Sequence, residues 1–464
     1  MKLCVIGGAG ARSAFLTKSL VKSAREIRVD HIVLLDNNEE HLRTYGQISK
    51  ELARRMEPSL TFDISSDARG ALTGADYIIT TIRAGGDAGR LFDEKTCLAH
   101  GVLGQETTGA GGFAMAIRSV PTLVYYCTLA REVSNPGHLI FNFTNPSGII
   151  TQALRSCGFA NVYGICDAPS GFIKQLEEIL NVPYGALDIE CYGLNHLSWF
   201  RNAKLDGRDV QEELLNNPRT YQHSEMRLFT REMARLSGEC MLNEYLYFYY
   251  RREKSLSMVQ KAEHPRGEMI YLINRELETQ LAQMELPRDF EKAFNLYMNA
   301  YGKRENAYFS VESGGRREKV WNPPTVEEFL AEPDEGGYAA VALRFIRAIT
   351  DGEDCRMVLS VPNEGAIDGL EDDDVVEITC DIHSDGAHPI HIGVIDEFQL
   401  QQIKRLKYFE RCTIQAILHD DRDSAVKGLA LHPLVNDFEL AETLSGIFFK
   451  EYASFIHMNE APGQ

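Results

Sequence analysis

Positive charge is in short supply in this sequence of 464 residues. Lys and Arg number 48 against 67 Asp and Glu, so the net charge is −19. Nucleic acids and anionic membranes reward clustered Lys and Arg, and this balance therefore disfavours both as partners. A small anionic substrate is still compatible with it, because a local pair of arginines can override the global sign.

Closely spaced cysteines and long apolar runs are also missing. Ten cysteines are scattered without a dense pattern, which indicates reduced thiols rather than the disulfide framework of a small secreted protein. No run reaches the length of a transmembrane helix, and the opening MKLCVIGGAG flows straight into glycines, unlike a signal peptide. We therefore expect a cytoplasmic protein.

The composition is that of a large folded protein, with 44% hydrophobic and 25% charged residues. The length exceeds one ordinary core, which predicts two packed domains. In the first half, short β-branched runs alternate with amphipathic helical patterns. The runs cover 2–7, 31–36, 77–82, 138–144 and 161–166. This alternation is typical of an α/β fold with a Rossmann-type doubly wound parallel sheet.

The pattern changes at about residue 196. Antiparallel strands are indicated there, followed by long helical stretches around 226–252, 264–285 and 287–300, a strand-rich piece at 373–393 and terminal helices from 397 to 455. We therefore predict a Rossmann-like domain over 1–195 and a C-terminal α+β domain over 196–464.

A glycine-rich turn follows the first predicted strand, in the segment VIGGAGARSAFL. Gly7, Gly8 and Gly10 let the backbone turn sharply and approach a pyrophosphate at the start of the next helix. The usual third glycine is replaced by Ser13, so the motif alone is weak. The second strand ends in Asp36, however, and an acid there suits the ribose hydroxyls of NAD and repels the extra phosphate of NADP. We predict an NAD site, and the alternative is a glycine turn that binds nothing.

A cysteine, an aspartate and a histidine lie near the ends of two apolar segments. Cys166 and Asp167 end the last predicted parallel strand, and His196 lies in GLNHLSW. Such residues are more often ordinary core residues, and Asp167 alone is a plausible N-cap. Cys166 falls, however, at the carboxyl edge of the sheet, where open α/β folds bind ligands, and before a helix whose positive end favours a thiolate. A thiolate and one imidazole on a divalent cation leave positions open for substrate oxygens.

Other polar residues fall in loops near the same edge. Asn145 follows a strand in NFTNPSG, and Asn195 lies in GLNHLSW; both are candidates to bind substrate, although a turn role is the alternative for Asn145. Arg83 and Arg90 occupy a glycine-loosened segment, and Glu106 begins a second glycine-rich loop. Basic residues there indicate local binding of an anion, with solvated arginines as the alternative. We assign Arg83 to the cofactor, and Arg90 and Glu106 to the substrate.

Aromatic residues are concentrated in NEYLYFYY, in which Tyr245 is the first of four tyrosines. A helical aromatic stripe is more often part of the core. A tyrosine beside a metal and a positive cofactor ionises far more easily, however, and can act as a base. Arg266, at the start of a later predicted helix, is a further candidate for substrate contact.

These motifs together resemble glycoside hydrolase family 4, whose NAD- and metal-dependent members act on 6-phospho-glycosides and do not use the usual pair of carboxylates. Each segment alone is a weak signal, but nine in the family's order, over nearly the whole chain, are specific. They are GGAGARSAFL, RAGGDAGRLFDE, GVLGQETTGAGG, NFTNPSG, GICDAP, GLNHLSW, NEYLYFYY, VPNEGAI and LALHPLV.

The resemblance implies a role for each candidate residue. Cys166 and His196 would be the ligands of Mn²⁺, Tyr245 the catalytic base and Asp167 the general acid. NAD⁺ would take a hydride from sugar C3, the acidified C2 proton would leave, and the C1 substituent would depart by elimination. Water would then add at C1 and the hydride would return, so that the net reaction is hydrolysis. The second domain would bind substrate and metal and form a homodimer or homotetramer.

The motif spelling, especially GGDAGRLFDE and NFTNPSG, looks like the 6-phospho-β-glucosidase branch, and we predict that substrate class. Asp167 instead matches the α-glucoside-phosphate branch, because the β branch usually carries asparagine there. Arg12 stands where a small hydroxyl residue is common, and Arg12 and Arg90 would serve a phosphate, or an unphosphorylated or carboxylated sugar. The same chemistry on α-linked, galacto-configured or non-phosphorylated glycosides is therefore an alternative.

Two other functions also fit the pattern of the first domain. An NAD-dependent hydroxy-acid dehydrogenase shares this pattern and would produce net NADH. A non-catalytic nucleotide-binding sensor would need neither Cys166 nor Tyr245.

Overall fold

Two β-sheets organise the chain, of which the computed structural model describes residues 1–286, 288–313, 321–334 and 339–456. The first strands alternate with helices, and the later ones form hairpins. They are β1 (Lys2–Ile6), β2 (His31–Leu35), β3 (Thr61–Ser65), β4 (Tyr77–Thr80), β5 (Leu139–Asn142), β6 (Val162–Gly164), β7 (Leu187–Leu194), β8 (Leu197–Leu205), β9 (Arg208–Asp209), β10 (Met241–Leu242), β11 (Cys355–Pro362), β12 (Val375–His383) and β13 (Gly386–Pro389).

The main sheet is mixed and, within the described residues, has nine strands in the order β13-β12-β11-β6-β5-β4-β1-β2-β3. The six strands from β3 to β6 are parallel, in the 3-2-1-4-5-6 order of a dinucleotide-binding fold. Strands such as KLCVI and YIIT are almost wholly buried, as expected where helices cover both faces of a parallel sheet. The predicted doubly wound sheet is therefore confirmed.

Helices cover the faces of this sheet and build most of the second half. In the first half they are α1 (Ser13–Ser23), α2 (Glu39–His41), α3 (Gln47–Met56), α4 (Ala68–Leu72), α5 (Gly86–Ala99), α6 (Gly109–Val133), α7 (Ser147–Ser156) and α8 (Ala168–Leu180), with a π-helical turn at Leu42–Gly46. In the second half they are α9 (Gln211–Asn216), α10 (Thr220–His223), α11 (Arg231–Leu236), α12 (Leu246–Tyr250), α13 (Arg252–Lys261), α14 (Arg266–Leu281), α15 (Phe290–Asn306), α16 (Ser310–Ser313), α17 (Val326–Ala331), α18 (Ala340–Asp351), α19 (Glu397–His419), α20 (Arg422–Leu431), α21 (Phe438–Glu451) and α22 (Ala453–Ile456).

Strands from the second half of the chain extend the first sheet. β11 runs antiparallel to β6, and β12 and β13 continue outward from it. A separate small sheet is formed by β7, β8, β9 and β10, all antiparallel. The predicted boundary between residues 195 and 196 falls in the turn of the β7–β8 hairpin, and the division into domains stays a prediction.

One sequence expectation about the second half is wrong. The long helical stretch expected over 226–252 is divided into α11, β10 and α12. Gly238, with a φ of +75°, follows the end of α11, and β10 then pairs with β8. The chain is turned back toward the small sheet before it can form a continuous helix.

Helix α6 is longer and more apolar than the sequence analysis predicted. By length and composition alone it is able to cross a membrane, contrary to the expectation that no run is long enough. In the folded protein 78% of its apolar window is buried. The helix packs against α5, α7 and α21, as a central core helix does.

Candidate active site

A cleft of about 1340 Å³ opens at the carboxyl ends of the parallel strands, where the strand order reverses between β1 and β4. Ligands of open α/β sheets bind at such a reversal. With the exception of Asn195, every residue that we predicted for the site lines this cleft. They are Gly7, Gly8, Gly10, Asp36, Arg83, Arg90, Glu106, Asn145, Cys166, Asp167, His196, Tyr245 and Arg266.

The glycine-rich loop joins β1 to α1 at one end of the cleft. Gly7 has a φ of +79°, and a Cβ there would meet Ile82 backbone at 2.8 Å, so the fold itself requires glycine. Gly10 is different, because the nearest protein atom to a Cβ would be the Gly7 carbonyl oxygen at 3.8 Å. Packing does not explain Gly10, but a ligand pressed against the loop would. The loop therefore fits the pyrophosphate of a dinucleotide.

Asp36 lies at the end of β2, next to this loop. Its carboxylate accepts hydrogen bonds from the backbone N–H groups of Ala9, at 3.3 Å, and Asn38, at 3.0 Å. Burial raises the pKa of Asp36, although the two N–H donors and His41 oppose that rise. The carboxylate is thus held in place, and its remaining lone pairs are available to the hydroxyls of a ribose.

Two arginines and one carboxylate form a partly buried ionic cluster farther along the cleft. Glu106 pairs closely with Arg83, and its carboxylate lies 3.4 Å from Nε of Arg90. Burial alone would raise the pKa of Glu106, but the two guanidinium groups outweigh it and hold the pKa well below its usual value. Glu106 is therefore ionised, and it fixes both arginines in position.

The backbone brings Cys166 and His196 together from different sheets. Cys166 follows β6, just before α8, and His196 is the second residue of the two-residue β7–β8 turn. His196 has a φ of +65°, a conformation uncommon for residues other than glycine. Gly193, with a φ of +136°, precedes the turn, and a Cβ there would lie 2.2 Å from the carbonyl oxygen of Leu197.

The Sγ of Cys166 lies 3.8 Å from the Nε2 of His196. Bonds of about 2.3 Å to sulfur and about 2.1 Å to nitrogen, as zinc makes them, place two donors of one tetrahedral ion roughly 3.6 Å apart. The pair therefore fits a shared divalent cation. Within the described ranges no group of three or more His, Cys, Asp and Glu residues could hold a metal ion. Such a cation would accordingly keep positions open for substrate oxygens.

Burial sets the charge of both donors. It lowers the pKa of His196 to about 3, so the imidazole is neutral and able to act as a ligand. It raises the pKa of the Cys166 thiol well above its usual value, and Glu377 and Asp167 add to that rise. A bound cation would oppose this effect, since a coordinating thiol is deprotonated.

Tyr245 packs directly on the histidine. The two rings are stacked, with centroids 3.8 Å apart and planes inclined by 9°. Burial raises the pKa of Tyr245, and Glu244 adds to the rise. In the absence of a nearby cation the phenol of Tyr245 is therefore protonated, and it lies beside the Cys166–His196 pair.

Asp167 and Asn195 take up contrasting positions. Asp167 begins α8 but makes no side-chain capping bond, and its carboxyl group faces the cleft. The surrounding protein raises the pKa of Asp167, and Arg12 partly offsets this. Asn195 instead donates to Glu377 over 2.9 Å and also hydrogen-bonds Cys166. It lies behind the Cys166–His196 pair rather than in the cleft.

Sequence reasoning missed several polar residues that belong to the site. Glu377, on β12, is buried beneath the Cys166–His196 pair, and burial raises its pKa to about 7. Tyr308 and Glu312, in or next to α16, line the cleft. Glu377 and Tyr308 lie in no recognisable motif, because only the folded chain brings them to the site. Glu244 alone carried a signal, since it precedes Tyr245 in NEYLYFYY.

Known proteins and family models match nearly the whole chain. Residues 2–182 match the model of the family 4 glycosyl hydrolases, and residues 191–435 match the model of their C-terminal domain. The 6-phospho-beta-glucosidase BglT of Thermotoga maritima is 29% identical over 449 residues, with 96% of each chain covered. Phospho-alpha-glucosidase PagL of Clostridium acetobutylicum is 26% identical, with 95% of each covered. The Thermotoga maritima 6-phospho-beta-glucosidase with manganese, NAD⁺ and glucose-6-phosphate superposes with a TM-score of 0.78 at 28% identity, covering 98% of this chain and 99% of that one.

The position of Asp36 predicts the effect of removing its carboxylate. We expect Asp36→Ala to lower the affinity for NAD⁺ about tenfold, because hydrogen bonds to a charged group are lost. Discrimination against NADP⁺ should also weaken, since the repulsion of the extra phosphate disappears. Fluorescence titration measures both affinities. Asp368→Ala, at an exposed position outside the cleft, is the control. Unchanged NAD⁺ affinity in Asp36→Ala would contradict the assignment.

Proposed function

Because this chain belongs to the family 4 glycosyl hydrolases, we propose that it hydrolyses 6-phospho-β-glucosides with NAD and a divalent cation such as Mn²⁺. The observation that carries this proposal is the approach of Cys166 Sγ to His196 Nε2 at the edge of a dinucleotide-type cleft. The similarity to enzymes named 6-phospho-beta-glucosidases over nearly the whole chain supports the substrate class.

Two groups of residues would hold the cofactors. The loop of Gly7, Gly8 and Gly10 would receive the pyrophosphate of NAD, Asp36 the ribose hydroxyls, and Arg83 a further part of the dinucleotide. Bound NAD supplies reversible hydride transfer. The glycine loop after the first strand, followed by an acid at the end of the second, is the arrangement of a Rossmann site.

Cys166 and His196 would hold the divalent cation. A cation held there would polarise oxygens of the bound sugar, which would make neighbouring C–H bonds more acidic. Asn195 and Glu377 support the pair from behind. We therefore propose for Asn195 an indirect contribution to substrate binding, through the orientation of this pair.

Side chains of the protein would carry out the proton transfers of the reaction. The predicted reaction is C3 oxidation, C1–C2 elimination, addition of water and re-reduction. Tyr245, stacked on His196, is the base that takes the C2 proton. Asp167 faces the cleft with a raised pKa, so its carboxyl group can hold a proton for the oxygen that leaves C1.

Recognition of an anionic sugar would rest on arginine. Arg12 and Arg90 line the cleft and are proposed to bind the 6-phosphate. Glu106 keeps Arg90 in place, and Arg266 and Asn145 complete the substrate contacts. A local cationic cluster of this kind lets a protein with a net charge of −19 accept a negative substrate.

A panel of aryl glycosides tests this proposal. Aryl α- and β-glucosides and galactosides, each with and without a 6-phosphate, are assayed with NAD⁺ and Mn²⁺. We expect the 6-phospho-β-glucoside to be cleaved fastest, without net change in NADH absorbance, because each turnover returns the hydride.

Other outcomes of the panel would identify other functions. Faster cleavage of an α-linked glycoside would show that Asp167 marks the α-type branch. Cleavage only of unphosphorylated glycosides would remove the proposed role of Arg12 and Arg90. Net NADH production on hydroxy acids would identify a dehydrogenase, and a complete lack of turnover would favour a sensor.

We further propose a homodimer or homotetramer in solution. Large apolar side chains are exposed near the ends of consecutive C-terminal helices: Phe398 is 51% exposed, Leu431 40% and Phe438 64%. Exposed apolar patches commonly mark protein interfaces. Sedimentation equilibrium should give two or four times the chain mass of 52.2 kDa. A monomer at all concentrations would contradict this.

The protein is also proposed to act in the cytoplasm on a small molecule, without nucleic acid or membrane as partner. All ten cysteines are unpaired, which suits a reducing compartment. The acidic net charge opposes binding to polyanions. Cell fractionation tests the location.

A further inference from the structure

A chain of three polar groups ends at the proposed base. The hydroxyl oxygen of Tyr308 lies 3.3 Å from that of Tyr245, and Tyr308 donates a hydrogen bond of 2.7 Å to Oε1 of Glu244. All three side chains line the cleft. Tyr308 comes from the segment after α15, about sixty residues along the chain, so the contact depends on the tertiary fold.

The donors and acceptors available on Tyr245, Tyr308 and Glu244 determine the direction of the hydrogen bonds between them. An ionised carboxylate is only an acceptor, and a tyrosine hydroxyl has a single hydrogen to donate. Since Tyr308 gives its hydrogen to Glu244, its oxygen can only accept from Tyr245. In the protonated form of Tyr245, which results when the base has taken the C2 proton, the hydroxyl hydrogen is therefore directed at Tyr308, and the lone pairs of that oxygen are directed elsewhere.

A second carboxyl group, that of Glu225, lies near Glu244. The backbone N–H of Glu244 donates to Oε2 of Glu225, 3.0 Å away. Burial, and then the charge of Glu244, raise the pKa of Glu225 well above its usual value. Glu244 is the acceptor of the hydrogen bond from Tyr308, beside a carboxyl group that favours its protonated form.

The ring of Tyr308 is held independently of its hydroxyl. The guanidinium carbon of Arg266 lies 4.7 Å from the ring centroid, in a cation–π contact, and the Phe309 ring is 5.2 Å away. Phe309 also packs edge-on against Tyr245, with ring centroids 5.8 Å apart. Removal of the Tyr308 hydroxyl alone should therefore leave the ring in place.

We infer that Tyr308, which is itself held by its hydrogen bond to Glu244, is a positioning residue. It keeps the hydroxyl oxygen of Tyr245 in the orientation that removal of the C2 proton requires. The inference rests on the proposed function, because Tyr245 must be the base for its orientation to matter. A displaced or rotated base transfers protons less efficiently, although the binding of cofactor and sugar does not depend on it.

The decisive variant is Tyr308→Phe, measured with the complete enzyme, NAD⁺ and Mn²⁺. We expect kcat to fall about tenfold, a fraction of the full effect of a general base, with KM almost unchanged. The kinetic isotope effect with a substrate deuterated at C2 should rise, because proton removal becomes more rate-limiting. Affinities for NAD⁺ and glucose 6-phosphate, measured by fluorescence titration, should match the native enzyme.

A double-variant comparison separates positioning from general damage. In a Tyr245→Phe background, Tyr308→Phe should cost less than about twofold further, because its effect passes through a hydroxyl that is already gone. Tyr250→Phe is the matched control, since its hydroxyl bonds Ser237, 2.9 Å away and outside the cleft. It should leave kcat and the isotope effect unchanged. If Tyr308→Phe fails to fold, Glu244→Gln weakens the same chain and should lower kcat in the same way.

Several results would overturn the inference. These are native kcat in Tyr308→Phe, a loss confined to KM or to NAD⁺ binding, or an undiminished further loss in the Tyr245→Phe background. Failure of the proposed function looks different: Tyr245→Phe would then turn over as fast as the native enzyme, or the native enzyme would cleave no glycoside. In those cases the positioning role of Tyr308 is overturned together with it.

Discussion

The candidate site depends on the close approach of one sulfur and one imidazole nitrogen that belong to different sheets. Cys166 is placed by the end of β6, whereas His196 is placed by the β7–β8 turn. Their 3.8 Å separation requires the hairpin to lie against the carboxyl edge of the main sheet. Gly193 permits the turn, because any side chain there would strike the carbonyl of Leu197. The strands β11 and β12 complete the arrangement, since β12 carries Glu377 to the back of the pair.

The charged side chains of the cleft are held in position before any ligand binds. Arg83 and Arg90 are both joined to the carboxylate of Glu106 within it. Groups fixed in this way lose little further freedom when a ligand binds, which is the benefit of preorganisation. Asp167 and Glu225 show the opposite effect, since the surrounding protein raises the pKa of each and favours the protonated form. The same cleft thus contains fixed charges and groups that retain protons.

Much of the fold and many of the site's residues could be predicted because they follow local patterns. Buried β-branched runs identified β1, β2, β4, β5 and β6, and the residues just after those strands necessarily share one edge of the sheet. Strand β3 was missed, because its alternating TFDIS sequence lies at the edge and is only partly buried. The single helix predicted over 226–252 is not formed, because the chain turns at Gly238 and β10 then pairs with β8.

Contacts between distant parts of the chain could not be predicted in this way. Nothing in the sequence of β12 indicates that Glu377 lies under Cys166, and nothing near Tyr308 indicates its contact with Tyr245. Asn195 shows the same limit at the scale of one residue. It is next to His196 in sequence, yet the turn directs its side chain to Glu377 rather than into the cleft.

X-ray absorption at the manganese edge of the Mn²⁺-loaded protein tests the central claim most directly. The close approach of Cys166 and His196 predicts one sulfur in the first coordination shell, together with nitrogen and oxygen. The sulfur should disappear in Cys166→Ser and persist in Cys157→Ser, at a cysteine outside the cleft. A first shell of oxygen alone, or a sulfur that survives in Cys166→Ser, would contradict the account.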